Sequence, residues 1–416
     1  MGLKRLYKGY LESFRGLPRE AWSLALVVLI NHAGSMVVFF LPLYLTGDRG
    51  FSVMTAGRII SVWGFGSLIG SYAGGGLSDR WGSKSVQRMS LVLGGIGYIL
   101  LGYLDSLPAI AVLAFTLAVV ANAFRPANVT AFTELCAGAT QARGFALMRL
   151  AVNLGFSAGP ALGGILAMRS YRYLFWANGL ASLFAAAVLE RVFQDPPAQS
   201  RAAARTGSAA SPWRDPVLLR FLGLLLAVGI VFFQLFGTWP LYMSRVCGFT
   251  ENRIGLLLTI NALMIALFEM QLIHRIDEKE PVSMVAFGAL FVAAGFGLLP
   301  LAKSYGFIAA TTVLWTVGEM LIFPLSATFI AGRASPENSG AYMGLFTLTF
   351  SLSGAVSPAA GTWIYSRFGP AALWFGCGCV GLLVWLGLRG LRKSIKADAG
   401  AVEPDPDSAP ALSEIG

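Results

Sequence analysis

Charge is the scarcest property of this chain. Only 12% of its 416 residues are Asp, Glu, Lys or Arg, against roughly 25% in ordinary soluble domains, while 56% are hydrophobic. That much apolar surface exceeds what a water-soluble core can hide, which excludes a soluble domain and leaves a polytopic membrane protein. Histidine is nearly missing, with two residues, and the four cysteines (Cys136, Cys247, Cys377, Cys379) lie in or beside apolar runs without paired loop spacing. They supply neither a disulfide framework nor a zinc cluster, so they read as packing residues, and no metal or cofactor is expected. No G-x-x-x-x-G-K-[ST] loop occurs to cradle a nucleotide phosphate, which argues against ATP as a driver. No nucleophile stands with a base and an orienting group, so no catalytic residue is assigned and the chain is not expected to be an enzyme. The net charge of +10 does not point to nucleic acid, because the basic residues are scattered over many short loops.

What is present in quantity is apolar run. Twelve segments can be drawn, at about 21–46, 56–78, 86–105, 108–132, 144–168, 172–193, 217–243, 253–274, 283–303, 305–330, 340–366 and 370–391. Each has the roughly 20 residues a bilayer crossing needs, and the 49 glycines let such helices approach closely. A stretch rich in Pro, Ala, Ser and Arg, 194–216, divides them into six and six. The expected organisation is a leader over 1–20, a bundle over 21–193, the linker 194–216, a second bundle over 217–391 and a disordered tail over 392–416. Residues 1–20 are basic and lack a small-residue cleavage site, so they read as a cytoplasmic leader and not a signal peptide. With the first segment starting inside, 21 of the 31 Lys and Arg fall in the inner loops and ends. Both termini are therefore expected in the cytoplasm of a multi-pass inner-membrane protein.

Between the second and third segments stands Gly75-Gly76-Leu77-Ser78-Asp79-Arg80-Trp81-Gly82-Ser83-Lys84, read as a charged, glycine-rich turn at a membrane face. It resembles the signature G-x-L-a-D-r-x-G-r-k of the Major Facilitator Superfamily of secondary transporters, with Gly75, Leu77, Asp79, Arg80, Gly82 and Lys84 matching. The fifth segment carries Gly155, Gly159, Pro160, Gly163 and Gly164, which resemble the G-x-x-x-G-P-x-x-G-G motif of that family's drug/proton antiporters. Phe-Leu-Pro-Leu-Tyr (40–44) and Trp-Pro-Leu-Tyr (239–242) stand at corresponding places in the two halves, as an internal repeat requires. The resemblance implies an all-α membrane protein, twelve transmembrane helices in two pseudo-symmetric six-helix bundles. It also implies that Asp79 and Arg80, with Glu134 at the end of the fourth segment, form a cytoplasmic latch to the eleventh helix; a role in topology alone is the other reading. The glycine motif reads either as an antiporter feature or as simple helix packing.

Ionisable groups inside a span cost about 2.5–3.5 kcal/mol at a helix centre, so they face a partner or a wet cavity. Glu319, mid-way along the tenth segment, is the first candidate for carrying a proton. Glu269 is the second, with pairing to Arg275 or a neighbouring helix as its alternative, and His32 is the third, with a packing role as its alternative. Arg125 is the deepest arginine, whereas Arg149 is expected to snorkel to the surface. In this family the first, fourth, seventh and tenth helices line the cavity, and Asn31, Arg125, Gln234 and Glu319 fall one on each. Trp239, Trp315 and Phe232 offer apolar surface beside them, and Asn128 and Asn153 offer further polar groups. The expected function is proton-coupled efflux of a small amphipathic or drug-like molecule by alternating access. The alternatives are a proton-coupled importer of an amino acid, peptide or sugar, and a lipid-handling protein without ion coupling. The partners expected are a small-molecule substrate, protons and membrane lipid, with no nucleic acid, the monomer being the working unit.

Overall fold

Inside hydrocarbon every backbone N–H and C=O must be satisfied within its own segment, and the computed structural model accordingly is helical throughout, with no strand among the described residues: 16–136, 140–192, 211–276, 278–335 and 338–400. The first half contains α1a (Arg19–Gly34) and α1b (Val37–Leu43), α2 (Val53–Trp81), α3 (Ser83–Leu101), α4a (Leu107–Asn122) and α4b (Phe124–Leu135), α5 (Gln141–Arg169) and α6 (Tyr171–Val192). The second contains α7a (Pro216–Phe232) and α7b (Thr238–Arg245), α8 (Glu251–Arg275), α9 (Pro281–Gly297), α10 (Tyr305–Arg333), α11 (Ser339–Phe368) and α12 (Pro370–Gly400). Eleven of these twelve crossings are long and apolar enough to span a membrane. The remaining one is α3, whose first two turns hold Lys84, Gln87 and Arg88.

Two expectations about boundaries need correction. The glycine-rich segment is not a turn over 75–84: Gly75 to Trp81 complete α2, and the chain reverses at Gly82 alone, with φ 86° and ψ 149°. That left-handed φ is open to glycine at little cost. The helical glycines before it serve close approach, since a Cβ at Gly74 would stand 2.7 Å from the Ala123 Cα at the joint of α4a and α4b. The tail expected from 392 is helical to Gly400 as the end of α12. The rest of the tail (401–416), most of the leader (1–15), residue 193 and most of the linker (194–210) lie outside the described residues.

The two halves repeat one another. The Tyr44 hydroxyl donates to the Leu101 carbonyl (3.4 Å) and the Tyr242 hydroxyl to the Leu299 carbonyl (3.1 Å). Each ring meets an aromatic edge-on, Tyr44 with Phe175 of α6 and Tyr242 with Trp374 of α12. The first helix of each half is also broken, at Ser35–Met36 and at Gly237. A break frees backbone groups in a place without water. Here amide side chains take them up: Asn178 Oδ1 accepts from the Met36 and Val37 N–H groups (3.1 Å each), and Gln234 Nε2 donates to the Ile230 and Ser357 carbonyls.

At the face carrying Gly82, called the motif face below, Asp215 clamps three helices of the second half. It caps α7a by accepting from the Leu218 N–H (3.0 Å), takes both arms of Arg333 at the end of α10 (2.9 Å each) and accepts from the Tyr342 hydroxyl of α11 (3.3 Å). Partial burial pushes the Asp215 carboxyl up, but the Leu218 N–H and the Arg333 guanidinium outweigh it and hold the carboxyl below the usual range. A lowered carboxyl stabilises the fold at neutral pH, and this contribution is lost as pH falls from about 4 through the lower folded-state value. Asp215→Asn keeps a good cap but loses the charge, and is expected to cost about 1–2 kcal/mol at pH 7. In thermal melts of purified protein the deficit should shrink to nothing as the buffer is taken well below pH 4.

Candidate functional site

The halves meet along two long seams, with α1b also touching the broken seventh crossing between them. On one, α2 runs antiparallel to α11. Cβ atoms at Gly57 and Gly64 would collide with Thr362 and with the Ala355 backbone, and Ser61 Oγ accepts from the Ala359 N–H (3.0 Å). Each step of three or four residues along α2 is matched by a similar step back along α11. Continuing that register puts Tyr72 opposite Leu348, Gly75 opposite Gly344 and Asp79 opposite Gly340. Tyr72 is 89% exposed and Leu348 43%, and a Cβ at Gly75, Gly340 or Gly344 would meet nothing. The seam is closed away from the motif face and parted towards it.

The other seam joins α5 and α8 for most of their length. The Tyr171 hydroxyl at the start of α6 donates to Glu251 (3.0 Å), and Thr259 donates to the Ser157 carbonyl (2.9 Å). Gly164 lies against the backbone of Glu251 and Asn252, and Gly255 against the Pro160 carbonyl. Nearer the motif face Arg149 holds Glu269 in a two-armed ion pair, its Nε 3.1 Å from Oε2. Glu269 is 4% exposed. Arg149 was expected to snorkel, and instead its guanidinium reaches across to the other half; a buried carboxylate left without a cation is the costlier arrangement.

Beside this seam stands Glu319. The Asn261 Nδ2 of α8 donates to its Oε2 (2.7 Å) and also reaches the Thr316 hydroxyl (3.1 Å). The carboxyl lies in a crevice lined by Val228, Gly229, Phe232, Ile322, Phe323 and Phe350, and the charges of Glu269 and Arg149 are close enough to act on it. Phenylalanines continue from there in unbroken contact. Phe350 stacks on Phe323 (4.6 Å), Phe323 meets Phe232 (5.3 Å), and Phe233 leads to Phe236 (5.9 Å). Phe236 then stacks on Phe39 of the first half (5.2 Å), which meets Phe156 (6.1 Å) and through it His32 (4.8 Å). Arg125 is exposed on α4b and lies near enough to His32 for the two charges to interact. It forms no ion pair among the described residues. An aromatic band thus runs between a carboxyl in one half and an unpaired guanidinium in the other, a pattern that suits an amphipathic guest.

Several anticipated residues stand elsewhere. Asn31 turns to α6, its Oδ1 accepting from the Ser182 hydroxyl (3.3 Å). Gln234 is 2% exposed, with its amide used by the break of the seventh crossing and its Oε1 taken by the Thr238 hydroxyl (2.6 Å). Trp239 and Trp315 are fully buried within the second half, Trp315 stacked on Phe296. These four lie in the bundles' interiors because their polar atoms or broad rings mend or fill them, and they are not on the surface shared by the halves. Asn128 is buried as well, and Asn153 is half-buried. His32 is fastened by Nδ1 to the Val28 carbonyl (2.8 Å) and covers Gly155. Gly159 and Gly163 take the backbone of Ala33 and the Met36 side chain. In the motif, Asp79 and Arg80 are exposed, and Arg80 forms no ion pair among the described residues. Ser83 donates to Glu134 (3.0 Å), and Lys84 and Arg88 both reach Glu190 of α6 (3.2 Å each). Asn261 was not anticipated, and of the phenylalanine band only Phe232 was. The i, i+4 spacing of Phe346 and Phe350 was the signal available for the band.

The profile of the Major Facilitator Superfamily matches residues 24–358. YqjV of Bacillus subtilis (strain 168), named an uncharacterized MFS-type transporter, is 22% identical over 367 residues, 86% of this chain and 89% of its own. The quinolone resistance protein NorA of Staphylococcus aureus (strain MRSA252) is 21% identical over 337 residues, covering 80% of this chain and 86% of its own. Among solved structures, a peptide transporter POT in complex with alafosfalin superposes with a TM-score of 0.78 over 92% of this chain and 96% of its own, at 16% identity.

Proposed function

The chain belongs to the Major Facilitator Superfamily, and on that premise we propose that it exports a small amphipathic molecule across the inner membrane in exchange for protons, by alternating access between its bundles. The observation that carries this reading is Glu319: a carboxyl beside the shared surface, held by the neutral Asn261 and not by a cation, and set among phenylalanines. A carboxyl with a neutral partner can gain and lose a proton as water reaches and leaves it, while a cationic or flat apolar guest competes for the same place. Arg125, with His32 beside it, is the contact offered by the other half. The likeness to a quinolone resistance protein favours export, and the excess of Lys and Arg at the motif face favours a cytoplasmic position for that face.

On this reading the conformer described is open to the cytoplasm, and the motif is its gate. Closing α2 onto α11 in the register above brings Gly75 to Gly344 and the Asp79 carboxylate to the first turn of α11, whose free N–H groups favour an anion. The test is reconstitution in vesicles with an imposed pH gradient, using a fluorescent amphipathic cation as substrate. Antiport predicts accumulation when the vesicle interior is acid, abolished by a protonophore, together with cross-linking of Tyr72→Cys to Leu348→Cys in the closed state. Accumulation driven by an acid exterior would make the protein an importer, and accumulation indifferent to the gradient would remove proton coupling.

A further inference from the structure

On the far side of the second half, α7a and α12 part towards the motif face and leave a cleft of about 390 Å³ lined by Arg220, Gly223, Leu224, Gly387, Gly390 and Leu391, with Ser394 at its rim. Its polarity is ordered. Arg220 lies in the second turn of a crossing that begins at Pro216, and Ser394 is one residue from the end of the apolar stretch Pro370–Ile395. Both polar residues therefore sit at the level where headgroups meet hydrocarbon. The lining deeper along the two helices is wholly apolar: Leu224 is one turn further in on α7a, and Gly387 two turns further in on α12. Three glycines keep the walls low. A Cβ at Gly223 or Gly390 would meet nothing, whereas at Gly387 it would strike Leu224 at 2.6 Å. Arg220 is exposed and forms no ion pair among the described residues. A guanidinium at that level is placed to meet the phosphate of an anionic lipid.

We propose that this cleft is a binding site for one anionic phospholipid, its phosphate held by Arg220 and the Ser394 hydroxyl and one acyl chain lying over Gly223, Gly387 and Gly390. The polarity matches that molecule end to end: a cation at headgroup level, then a smooth apolar trough reaching inward. A soluble anion would leave the trough unfilled, and a zwitterionic lipid such as phosphatidylethanolamine would bring its own ammonium beside the guanidinium and cancel part of the attraction. The site is separate from the surface around Glu319 and does not depend on the transport reading.

The experiment is native mass spectrometry of the purified protein titrated with phosphatidylglycerol and, separately, with phosphatidylethanolamine of the same chains. Wild type should retain one phosphatidylglycerol in preference. Arg220→Gln should weaken that lipid about fivefold, the worth of one basic residue at an anionic surface, and weaken phosphatidylethanolamine, whose ammonium offsets its phosphate, by less. Gly390→Leu, whose Cβ meets nothing within 4 Å while its longer branches enter the trough, should expel both lipids. Equal retention of the two lipids by wild type, or phosphatidylglycerol binding unaltered in both variants, would overturn the assignment. A wild-type thermal shift with glycerol phosphate equal to that with the lipid would make it a soluble-anion site and overturn it too.

Discussion

Glu319→Gln should leave the protein folded and abolish uphill transport. The amide has the shape of the carboxyl and keeps an oxygen for the Asn261 Nδ2, now 2.7 Å from Oε2, so the change in stability should stay within about 1 kcal/mol. What it removes is the carboxyl proposed to carry the proton. Accumulation of substrate under a pH gradient should fall to the level of empty vesicles, whereas exchange of labelled for unlabelled substrate, which needs no net proton movement, should continue. The pairing of losses matters: an inert or misfolded variant loses both, and a variant that has lost coupling loses one. Glu319→Asp draws the carboxyl back by one methylene and away from Asn261, so it should retain coupling at a reduced rate. If Glu319→Gln accumulates substrate as wild type does, the proton moves elsewhere, and Glu269 and then His32 become the next residues to change.

The architecture was legible in the sequence because its physical causes are local. Hydrocarbon imposes run length on each crossing, and a chain reversal between crossings demands Gly82 or its like, so the twelve segments and the six-plus-six division could be drawn from composition and spacing. The same locality misled at 75–81, where glycines that suggested a turn are helical. They accompany a helix whose neighbour, α4, comes close enough at Gly70 and Gly74 to exclude a Cβ. Side-chain direction was less legible. Asn31, Gln234, Trp239 and Trp315 lie on the crossings expected to face a cavity, but rotation about each helix axis is set by packing that one sequence does not encode as a pattern. Gln234 turns inward because the break at Gly237 leaves backbone groups for it to mend. Glu319 and Arg125, by contrast, were readable at once, since charge in a span is too costly to occur without a purpose or a partner. Arg149 and Glu269 were each visible, but their pairing was not: 120 positions separate them, and it takes the crossing of α5 on α8 to bring them together.

That pair yields the second large effect, and its two members are not equivalent. Glu269 is 4% exposed, while the Arg149 side chain is 46% open to solvent. Removing the cation with Arg149→Gln leaves a buried carboxylate alone, which in comparable buried pairs costs about 3–5 kcal/mol; with one partner half in water the lower end, about 3 kcal/mol, is expected. Removing the anion with Glu269→Gln leaves a guanidinium that can turn to water, and the amide keeps an acceptor, so the loss should be nearer 1 kcal/mol. Exchanging the residues, Arg149→Glu with Glu269→Arg, restores opposite charges across the seam and should recover much of the stability. Denaturant unfolding in mild detergent would read all three. The order of the effects separates two roles for Glu269. As a tether between the bundles it should tolerate the exchange and keep transport; as a proton carrier it should not, because the carboxyl would then stand on the other half, away from Asn261 and Glu319. Single variants within about 0.5 kcal/mol of wild type, or an exchange no more stable than Arg149→Gln, would show that the pair contributes nothing to holding α5 against α8.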